Sequence, residues 1–530
     1  MVNTTLFATQ RGTHVPDADT TNAAGGKAYK LSAEQALTKL VLTGTLGDTY
    51  YTSAGDQLDE VKQLAGAVDV EFLAQLAVYA REQGFMKDTS ALLLAILCTR
   101  DTELFKRVFN RVVDSGKMLR NFVQILRSGT VGRKSLGSAA KGAVQQWLLK
   151  ATDAQLLNGA IGTTPSLADV IKMVHPKPTD ANRAALFAWI IGREFVQADL
   201  PAELQHLQAF RQDSTLEVPK VPFLYLSSQP DFTLQHWEKL VRTMSWTQLR
   251  MNLNTLARKG LFENDNPNRQ ENIRFVAERL TDVDAIQKAR IFPYQLLTTY
   301  QATLGGVPQG ISNALQQAME VAVSNVPKLP GQTVVGCDVS GSMKSPVTGS
   351  RGTKDTSTRC IDVAALISAA ILRKNQEAVV IPFDDGAYDV RDKLNPFDSV
   401  MTIATQLASI NGGSTQCALV IAGMYQMGVK ADLVVIVSDN ESWSRGYNSA
   451  YYNPGAELDA AWARYLAEVN PDAKLVCLDI NPSSSSQVSA RPNTLNIGGF
   501  TDNVFELIRQ FAEGQYTPDF QVEQVKAVTL

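Results

Sequence analysis

The chain has 530 residues, of which 45% are apolar and 19% charged, with a formal net charge of −3. This balance is typical of a folded protein, and the length predicts about three domains, or two if one is large and helical. The five cysteines form no Cys-x-x-Cys pair, which argues against a disulfide framework and a zinc ribbon. The Thr-rich amino terminus lacks the apolar segment of a signal peptide, and the longest apolar run, Ala91 to Cys98, is far shorter than the roughly 20 residues that span a bilayer. We therefore expect a cytoplasmic protein.

The small net charge conceals an uneven distribution. Residues 1–330 hold 35 Lys and Arg against 31 Asp and Glu, whereas residues 331–530 hold 15 against 22. Between Arg100 and Lys150 there are 11 basic and 3 acidic residues, a local charge of +8. Clustered positive charge in a weakly acidic protein is typical of a polyanion-binding surface, although solvated helix faces have the same composition. Charge alone therefore leaves nucleic-acid binding open.

The sequence as far as Pro330 predicts helix after helix. Apolar residues recur at helical spacing, as at Leu73, Leu76 and Ala77, and turn residues such as Gly116 separate the segments. Strand-like alternation is nearly absent. Many helices joined by short turns are typical of an α-solenoid with degenerate repeats, whose curvature offers an inner and an outer surface to a long partner.

The pattern changes at 328–331. Beyond it, apolar runs of five or six residues alternate with helical segments, which predicts a parallel sheet covered on both faces, an α/β domain of the doubly wound type. Ligands of such domains bind at the carboxyl ends of the strands. We predict a polar N-terminal arm (1–28), a helical domain (29–330), the α/β domain (331–514) and a C-terminal tail (515–530) that could fold back on the helical domain.

Polar residues converge at this strand-end edge. Asp338, Ser340 and Ser342 follow the first predicted strand, Thr415 lies in a Gly-Gly loop before a helix, and Asp439 follows a later strand. Two carboxylates with several hydroxyls suit a hard divalent cation that keeps some waters, Mg²⁺ first and Mn²⁺ or Ca²⁺ next. Alone, the Asp-Val-Ser-Gly-Ser run would equally suit a helix-capping turn. The loop Thr and the second Asp favour a metal site.

These residues resemble the metal-ion-dependent adhesion site of von Willebrand A domains, which combines D-x-S-x-S, a loop Thr and an Asp after a strand. The resemblance covers residues 332 to about 513. It implies that Ser340, Ser342 and Thr415 supply hydroxyls, while Asp338 and Asp439 reach the ion directly or through water. It also implies an open coordination position for a carboxylate of an acidic protein partner.

Further motifs resemble the Ro autoantigen family along nearly the whole chain. In the α/β domain these are the Asp-Asn-Glu-Ser run at 439–442, the 412–419 loop and Gly499-Phe500. In the helical domain they are Gly44 to Tyr51, Leu167 to Pro178 and Lys288 to Tyr294. The helical part resembles the TROVE module, a ring of HEAT-type helical repeats that binds RNA. The chain is thus identified as a bacterial member of this family.

The resemblance implies a ribonucleoprotein component that acts in RNA quality control or maturation. Family members hold small structured non-coding (Y-type) RNAs on the basic outer surface of the ring and admit single-stranded 3′ ends of RNAs into its central hole. Bacterial relatives are linked to exoribonucleases such as polynucleotide phosphorylase. The candidate RNA-binding residues are Arg120, Arg127, Arg133, Lys134, Lys141, His175 and Lys177.

Lysines and arginines at these positions would contact phosphates and give salt-dependent affinity. Each could instead be a solvated surface side chain, and His175 a turn residue. Ser138 and Gly142 stand where relatives often carry basic residues, which implies weaker or shifted binding of duplex RNA. The polar segment from Ser345 to Arg359 borders the metal site and could gate it or be a flexible surface insert.

We expect no catalytic activity. The four histidines form no metal-binding pair, and the H-E-x-x-H and G-x-S-x-G motifs are absent. Cys337 lies within a predicted strand, which favours a small buried side chain over a catalytic nucleophile. Asp384 and Asp385 follow the second predicted strand of the α/β domain. We expect them to form a turn at the strand end rather than a second metal site or an acid–base pair. Any nuclease activity would therefore belong to a partner.

Two other classes of function remain open. One is a protein-binding scaffold whose metal site captures an acidic partner without any role for RNA. The other is an accessory subunit like the A-domain subunits of metal chelatases, which would need a separate ATPase because this chain has no P-loop. No heptad or apolar stripe argues for an oligomer, so we expect a monomer.

Overall fold

The computed structural model describes residues 16–44, 46–49, 51–162, 164–289, 291, 293–347, 350–351, 354–355, 358–410, 412–439, 441–442, 457–481, 483–499, 503–514 and 519–530. The expectations for residues 1–15, for Tyr50, Arg290, Phe292, Asn440 and Phe500, for 348–349, 352–353 and 356–357 of the 345–359 insert, and for the start of the C-terminal tail lie outside the described residues. Within the described ranges, no helix has both the length and the apolarity needed to cross a bilayer.

Two compact units make up the chain. The first, called the sheet unit, comprises Met1–Leu64, Val283–Ala302 and Leu315–Gln524. The second, called the helical unit, comprises Ala65–Asp282, Thr303–Ala314 and Val525–Leu530. The predicted boundary at 330 coincides with the change of secondary structure, but the sheet unit also includes Met1–Leu64, Val283–Ala302 and residues 315–330, which the prediction assigned to the arm and the helical domain.

Before Pro330, after a short hairpin of β1 (Thr20–Thr21) and β2 (Lys27–Lys30), the regular elements of the described chain are all helices. The helices are α1 (Ala33–Thr43), α2 (Ala54–Ala67), α3 (Val70–Glu82), α4 (Asp88–Arg100), α5 (Thr102–Val112), α6 (Gly116–Ser128), α7 (Gly137–Lys150), α8 (Asp153–Ala160), α9 (Leu167–Val174), α10 (Ala181–Ile191), α11 (Ala202–Gln212), α12 (Phe223–Ser227), α13 (Leu234–Thr243), α14 (Trp246–Met251), α15 (Leu253–Arg258), α16 (Arg269–Leu280), α17 (Val283–Ala289), α18 (Pro293–Thr303) and α19 (Gln309–Val323).

Local sequence signals fix many of these helix ends. Ser32, Thr152, Ser166 and Ser245 each begin a helix with a capping box, in which the hydroxyl accepts a backbone N–H three residues on and that residue's side chain returns a bond. Because each box satisfies two otherwise unpaired N–H groups, the turn and the helix start are specified together.

Aromatic side chains on the apolar faces join neighbouring helices of the helical unit. Phe105 and Phe109 of α5 pack on Phe122 of α6, with ring centroids 5.6 and 5.4 Å from that of Phe122. All three rings are buried. Such pairs add to the free energy of burial, so α5 and α6 form a firm base for the basic residues that they carry.

After Pro330 strands alternate with helices, as predicted. The elements are β3 (Thr333–Asp338), β4 (Ser350–Arg351), β5 (Lys354–Asp355), α20 (Cys360–Lys374), β6 (Val379–Phe383), α21 (Val400–Ala408), α22 (Ala418–Met427), β7 (Leu433–Ser438), α23 (Glu457–Glu468), β8 (Lys474–Asp479), β9 (Ser485–Ser486), β10 (Thr494–Gly498), α24 (Asn503–Ala512) and α25 (Phe520–Lys526).

The main sheet is parallel throughout, with strand order β10-β8-β7-β3-β6. Every residue of β3 and β7 is buried, as expected for strands covered on both faces. The helical part followed by this sheet confirms the predicted fold class. From β3 the chain moves to one side for β6 and to the other side for β7, so the carboxyl ends of β3 and β7 border a topological switch point.

The amino-terminal segment is part of the sheet unit. Strand β2 pairs with β1 and with β9 in a small antiparallel sheet. From α1, Lys39 forms a buried ion pair with Asp479 at the end of β8, and its Nζ donates to the Ser485 carbonyl at 2.6 Å. Burial raises the pKa of Asp479 to about 6, although the Lys39 charge opposes this shift.

The segment Val525–Leu530 at the end of the chain is part of the helical unit. Gln75 Nε2 of α3 donates to the carbonyls of Lys526 and Val528, at 2.9 and 3.2 Å. Arg111 of α5 donates to the Thr529 carbonyl, and Val525 is fully buried. The end of the chain is therefore bound along α3 and α5 through its backbone.

Candidate metal centre and RNA-contact surface

Asp338 closes β3 and is fully buried. Its Oδ1 accepts the Ser340 backbone N–H at 2.9 Å and its Oδ2 accepts the Ser438 hydroxyl at 2.6 Å. The Ser340 and Ser342 hydroxyl oxygens lie 3.3 Å apart. Hence the turn after β3 gathers one carboxylate and two hydroxyls at a single point.

The 412–415 loop is held against this turn by backbone contacts. Gly341 N–H donates to the Gly413 carbonyl at 2.9 Å. A Cβ on Gly412 would lie 1.8 Å from the Val339 carbonyl oxygen, so only glycine allows this approach. Thr415, which follows, is 1% exposed. The Gly-Gly sequence thus lets the loop approach the turn that carries Asp338.

Asp384 fixes the same loop from the end of β6. Its Oδ2 accepts the Gly413 N–H at 2.9 Å, and its Oδ1 accepts the Gly386 N–H and the Tyr388 hydroxyl, at 2.9 and 2.7 Å. These bonds give Asp384 the role of a turn residue. Asp384 also raises the pKa of Asp385, through a hydrogen bond and its negative charge.

Asp439 follows β7 and is also buried. Its Oδ1 accepts the Glu441 N–H at 3.3 Å, whereas its buried Oδ2 finds no hydrogen-bond partner among the described residues. Burial raises the pKa of Asp439, and burial together with the Asp439 charge raises the pKa of Asp338 to about 7. Two buried carboxylates of like charge with one oxygen unpaired fit a hard cation, which would offset the desolvation and the repulsion.

The donor set is therefore mixed. Within the described ranges, no group of three or more His, Cys, Asp or Glu side chains is suited to a metal ion. The predicted set holds only two carboxylates, Asp338 and Asp439, and the hydroxyls of Ser340, Ser342 and Thr415 would complete it. Neighbouring Cys337 is buried and its pKa is raised to about 12 by desolvation, which argues against a thiolate nucleophile.

Glu441 is a buried residue next to this site to which no sequence motif assigns a role. Its Oε2 accepts the Ala24 N–H at 2.9 Å, and the adjoining Ser442 carbonyl accepts Asn22 Nδ2 at 3.1 Å. Burial raises the pKa of Glu441 to about 8. The only signal in the sequence was the acidic residue two positions after Asp439. Because its partners lie near the other end of the chain, no local pattern could reveal them.

Five of the seven predicted RNA-binding residues are exposed in the helical unit: Arg127, Lys134, Lys141, His175 and Lys177. Among the described residues, none of these side chains forms an ion pair. The charges of the four Lys and Arg side chains are therefore available to a polyanion.

A hydrogen bond brings two of the predicted segments together. Gln145 Nε2 of α7 donates to the Val174 carbonyl at the end of α9, at 2.6 Å. Lys141 lies one turn before Gln145 on the same side of α7. His175 follows Val174 in a left-handed conformation, with φ of +53°. Lys141, His175 and the nearby Lys177 thus lie along one seam between α7 and the end of α9.

Arg120 and Arg133 differ from the exposed group. Arg133 donates from Nε to the Ser135 carbonyl and from Nη2 to the Leu136 carbonyl, both at 2.9 Å. Arg120 donates to the Pro165 carbonyl at 3.3 Å, and burial lowers its pKa. These bonds favour a structural role in the loops that flank α7 and α9.

Family models match two parts of the chain. Residues 332–512 match the Ro60 vWA domain, and residues 166–324 match the TROVE domain. The RNA-binding protein RO60 of Deinococcus radiodurans is 25% identical over 532 residues, covering 93% of this chain and 95% of that protein. The RNA-binding protein RO60 of Caenorhabditis elegans is 25% identical over 294 residues, covering 53% of this chain and 42% of that protein.

A solved structure has the same fold. The crystal structure of the Deinococcus radiodurans RO (RSR) protein aligns with a TM-score of 0.61 at 22% identity, covering 92% of this chain and all of that one. At this identity the likeness shows the fold alone.

Proposed function

This chain belongs to the Ro protein family, with a TROVE domain followed by a Ro60 von Willebrand A domain, and from that premise we propose that it binds RNA. The observation that supports the proposal is the seam between α7 and α9. There Lys141, His175 and Lys177 are exposed on elements joined by Gln145. Lysines without ion pairs on rigid elements contact phosphates and supply salt-dependent, largely sequence-independent affinity.

The family resemblance supports a finer proposal. A small structured RNA of the Y type would occupy the basic surface of the helical unit, and single-stranded 3′ ends would enter the central hole that the resemblance implies. The work would be RNA quality control or maturation beside an exoribonuclease such as polynucleotide phosphorylase. No catalytic step is assigned to this chain in the proposed role. We place it in the cytoplasm, where the five buried, unpaired cysteines would stay reduced.

The decisive experiment is a gel shift across a salt series with two RNAs, one structured and one with a single-stranded 3′ tail. The test variant carries Lys134→Glu and Lys141→Glu. The control variant carries Lys393→Glu and Lys430→Glu, which make the same change of charge on exposed residues of the sheet unit. We expect the test variant to lose structured-RNA affinity and to lower the salt slope by about 1 per lost phosphate contact, with the control unchanged. No binding to either RNA at low salt would refute the function.

The metal centre supports a second role. Asp338, Asp439 and the three hydroxyls would hold a divalent cation, Mg²⁺ first and Mn²⁺ or Ca²⁺ next. A bound cation would supply an open coordination position for a carboxylate of an acidic protein partner. The unpaired Oδ2 of Asp439 favours this role. If RNA binding fails, a metal-dependent protein scaffold becomes the leading function of the chain.

A further inference from the structure

Phe85 has an unusual backbone conformation. It lies in the turn between α3 and α4 with φ of +54°, in the left-handed region where glycine is favoured and a bulky residue is strained. The turn is held by Gly84 N–H, which donates to the Tyr79 carbonyl at 3.1 Å, and by Met86 N–H, which donates to the Ala80 carbonyl at 2.8 Å. The chain therefore carries a large ring where glycine would be free of strain.

Packing does not explain this ring. Phe85 is 65% exposed, so the protein gains little burial in return for the strain. Single exposed apolar residues are common on protein surfaces. An exposed aromatic ring in a strained position is different, because strained residues concentrate where a ligand is bound.

Two exposed lysines lie on the segments that meet at this turn. Lys87 is exposed two residues later, and Lys117 is exposed in the first turn of α6. Asn121, one turn after Lys117, donates to the Asp88 carboxylate at 3.1 Å and holds this end of α6 against the start of α4. Among the described residues, neither lysine forms an ion pair.

The electrostatics agree with this placement. Desolvation lowers the pKa of Lys87, and the positive charges of Lys117 and Arg81 lower it further, whereas the carboxylates of Asp88 and Asp114 oppose the shift. Arg81 itself is paired with Asp114 at 2.6 Å. Because Asp114 is paired with Arg81, the repulsion between Lys87 and Lys117 is only partly offset, and an anion bound by both lysines would relieve it.

We propose that Phe85 stacks on an unpaired base of single-stranded RNA while Lys87 and Lys117 contact the adjoining phosphates. An aromatic platform flanked by cations is how proteins bind single strands without reading their sequence. The proposal rests on the proposed RNA-binding function and adds a contact outside residues 166–324, which the TROVE model matches. The contact lies at the opposite end of α6 from Arg127.

The test measures binding of a fluorescent oligouridylate of about twelve nucleotides to the full chain by anisotropy. We expect Phe85→Ala to weaken binding by about fivefold to a hundredfold, the usual loss for one stacked base. Phe85→Trp should restore it. Phe397→Ala is the matched control, because Phe397 is 68% exposed in the sheet unit, and we expect no change.

The variant Phe85→Gly distinguishes a loss of RNA binding from a loss of stability. Glycine relieves the strained φ, so the variant should melt no lower than the wild type while its affinity for the oligouridylate falls as for Phe85→Ala. An abasic oligomer of the same length should bind wild type and Phe85→Ala equally, because it has no base to stack. Wild-type binding that Phe85→Ala leaves intact would overturn this inference alone. If the wild type binds no RNA of either kind, the inference fails together with the proposed function.

Discussion

At the residue scale, the candidate metal centre and the end of the neighbouring strand β8 contain buried carboxyl groups whose pKa values are raised. Asp338 reaches about 7, Glu441 about 8 and Asp479 about 6, in each case mainly through burial. The pKa of Asp439 shifts in the same direction. A carboxyl group whose pKa is raised in the folded state stabilises the folded protein at low pH, and this stabilisation is lost as the pH rises through the folded-state pKa.

The sign of these shifts predicts how metal-free protein responds to pH. In EDTA the melting temperature of the sheet unit should fall as the pH rises from about 5 to about 8, because the buried carboxyls must ionise in a desolvated site. Mg²⁺ should restore stability most at the higher pH, since it binds the ionised form, by about 2.7 kcal/mol at a hundredfold excess over Kd. Calorimetry with and without Mg²⁺ measures both effects.

The control is Asp338→Asn with Asp439→Asn. This pair removes two ionisations and the candidate ligands at once, so its pH dependence should be shallower and its Mg²⁺ shift absent. An equal Mg²⁺ effect at both pH values in the wild type would contradict the assignment.

At the element scale, the periodicity of apolar residues and the position of polar residues at strand ends predict some features of the fold but not others. The run Thr333–Asp338 is apolar and ends at an Asp, so both the strand and the carboxylate at its end followed from the sequence. The pairing of β2 with β9 did not follow, because β9 is very short and lies near the other end of the chain from β2. Likewise, nothing local marks Arg133 as a residue that binds its own loop.

The end of the chain offers a prediction at this scale. Truncation after Gln524 removes the buried Val525 and the carbonyls that Gln75 and Arg111 hold. We expect the helical unit to lose about 2 kcal/mol, the order of one buried valine, and to show faster amide hydrogen exchange in α3 and α5. Thr529→Ala should have no effect, because Arg111 contacts only the backbone of that residue. Unchanged exchange in α3 and α5 after truncation would refute the role of the tail.

At the scale of the whole molecule, the basic and acidic residues, and the two sets of candidate binding residues, lie in different parts of the chain. Residues 100–150 concentrate positive charge, and the residues from 331 onward carry 22 acidic against 15 basic side chains. The RNA candidates all belong to the helical unit, and all five metal candidates belong to the sheet unit. If the two proposed binding functions are carried by separate compact units, each can be removed without the other.

This separation predicts a double dissociation. Asp439→Asn should abolish the Mg²⁺-dependent rise in melting temperature while leaving RNA affinity within about twofold of the wild type, since sites without shared partners act additively. Lys134→Glu, Lys141→Glu should do the reverse. Each variant is measured by calorimetry with and without Mg²⁺ and by gel shift in the same buffer, so that each is the other's control. Loss of RNA binding in Asp439→Asn would mean that the cation and the RNA are energetically coupled, because a ligand that changes the affinity for a second ligand must itself be affected equally in return.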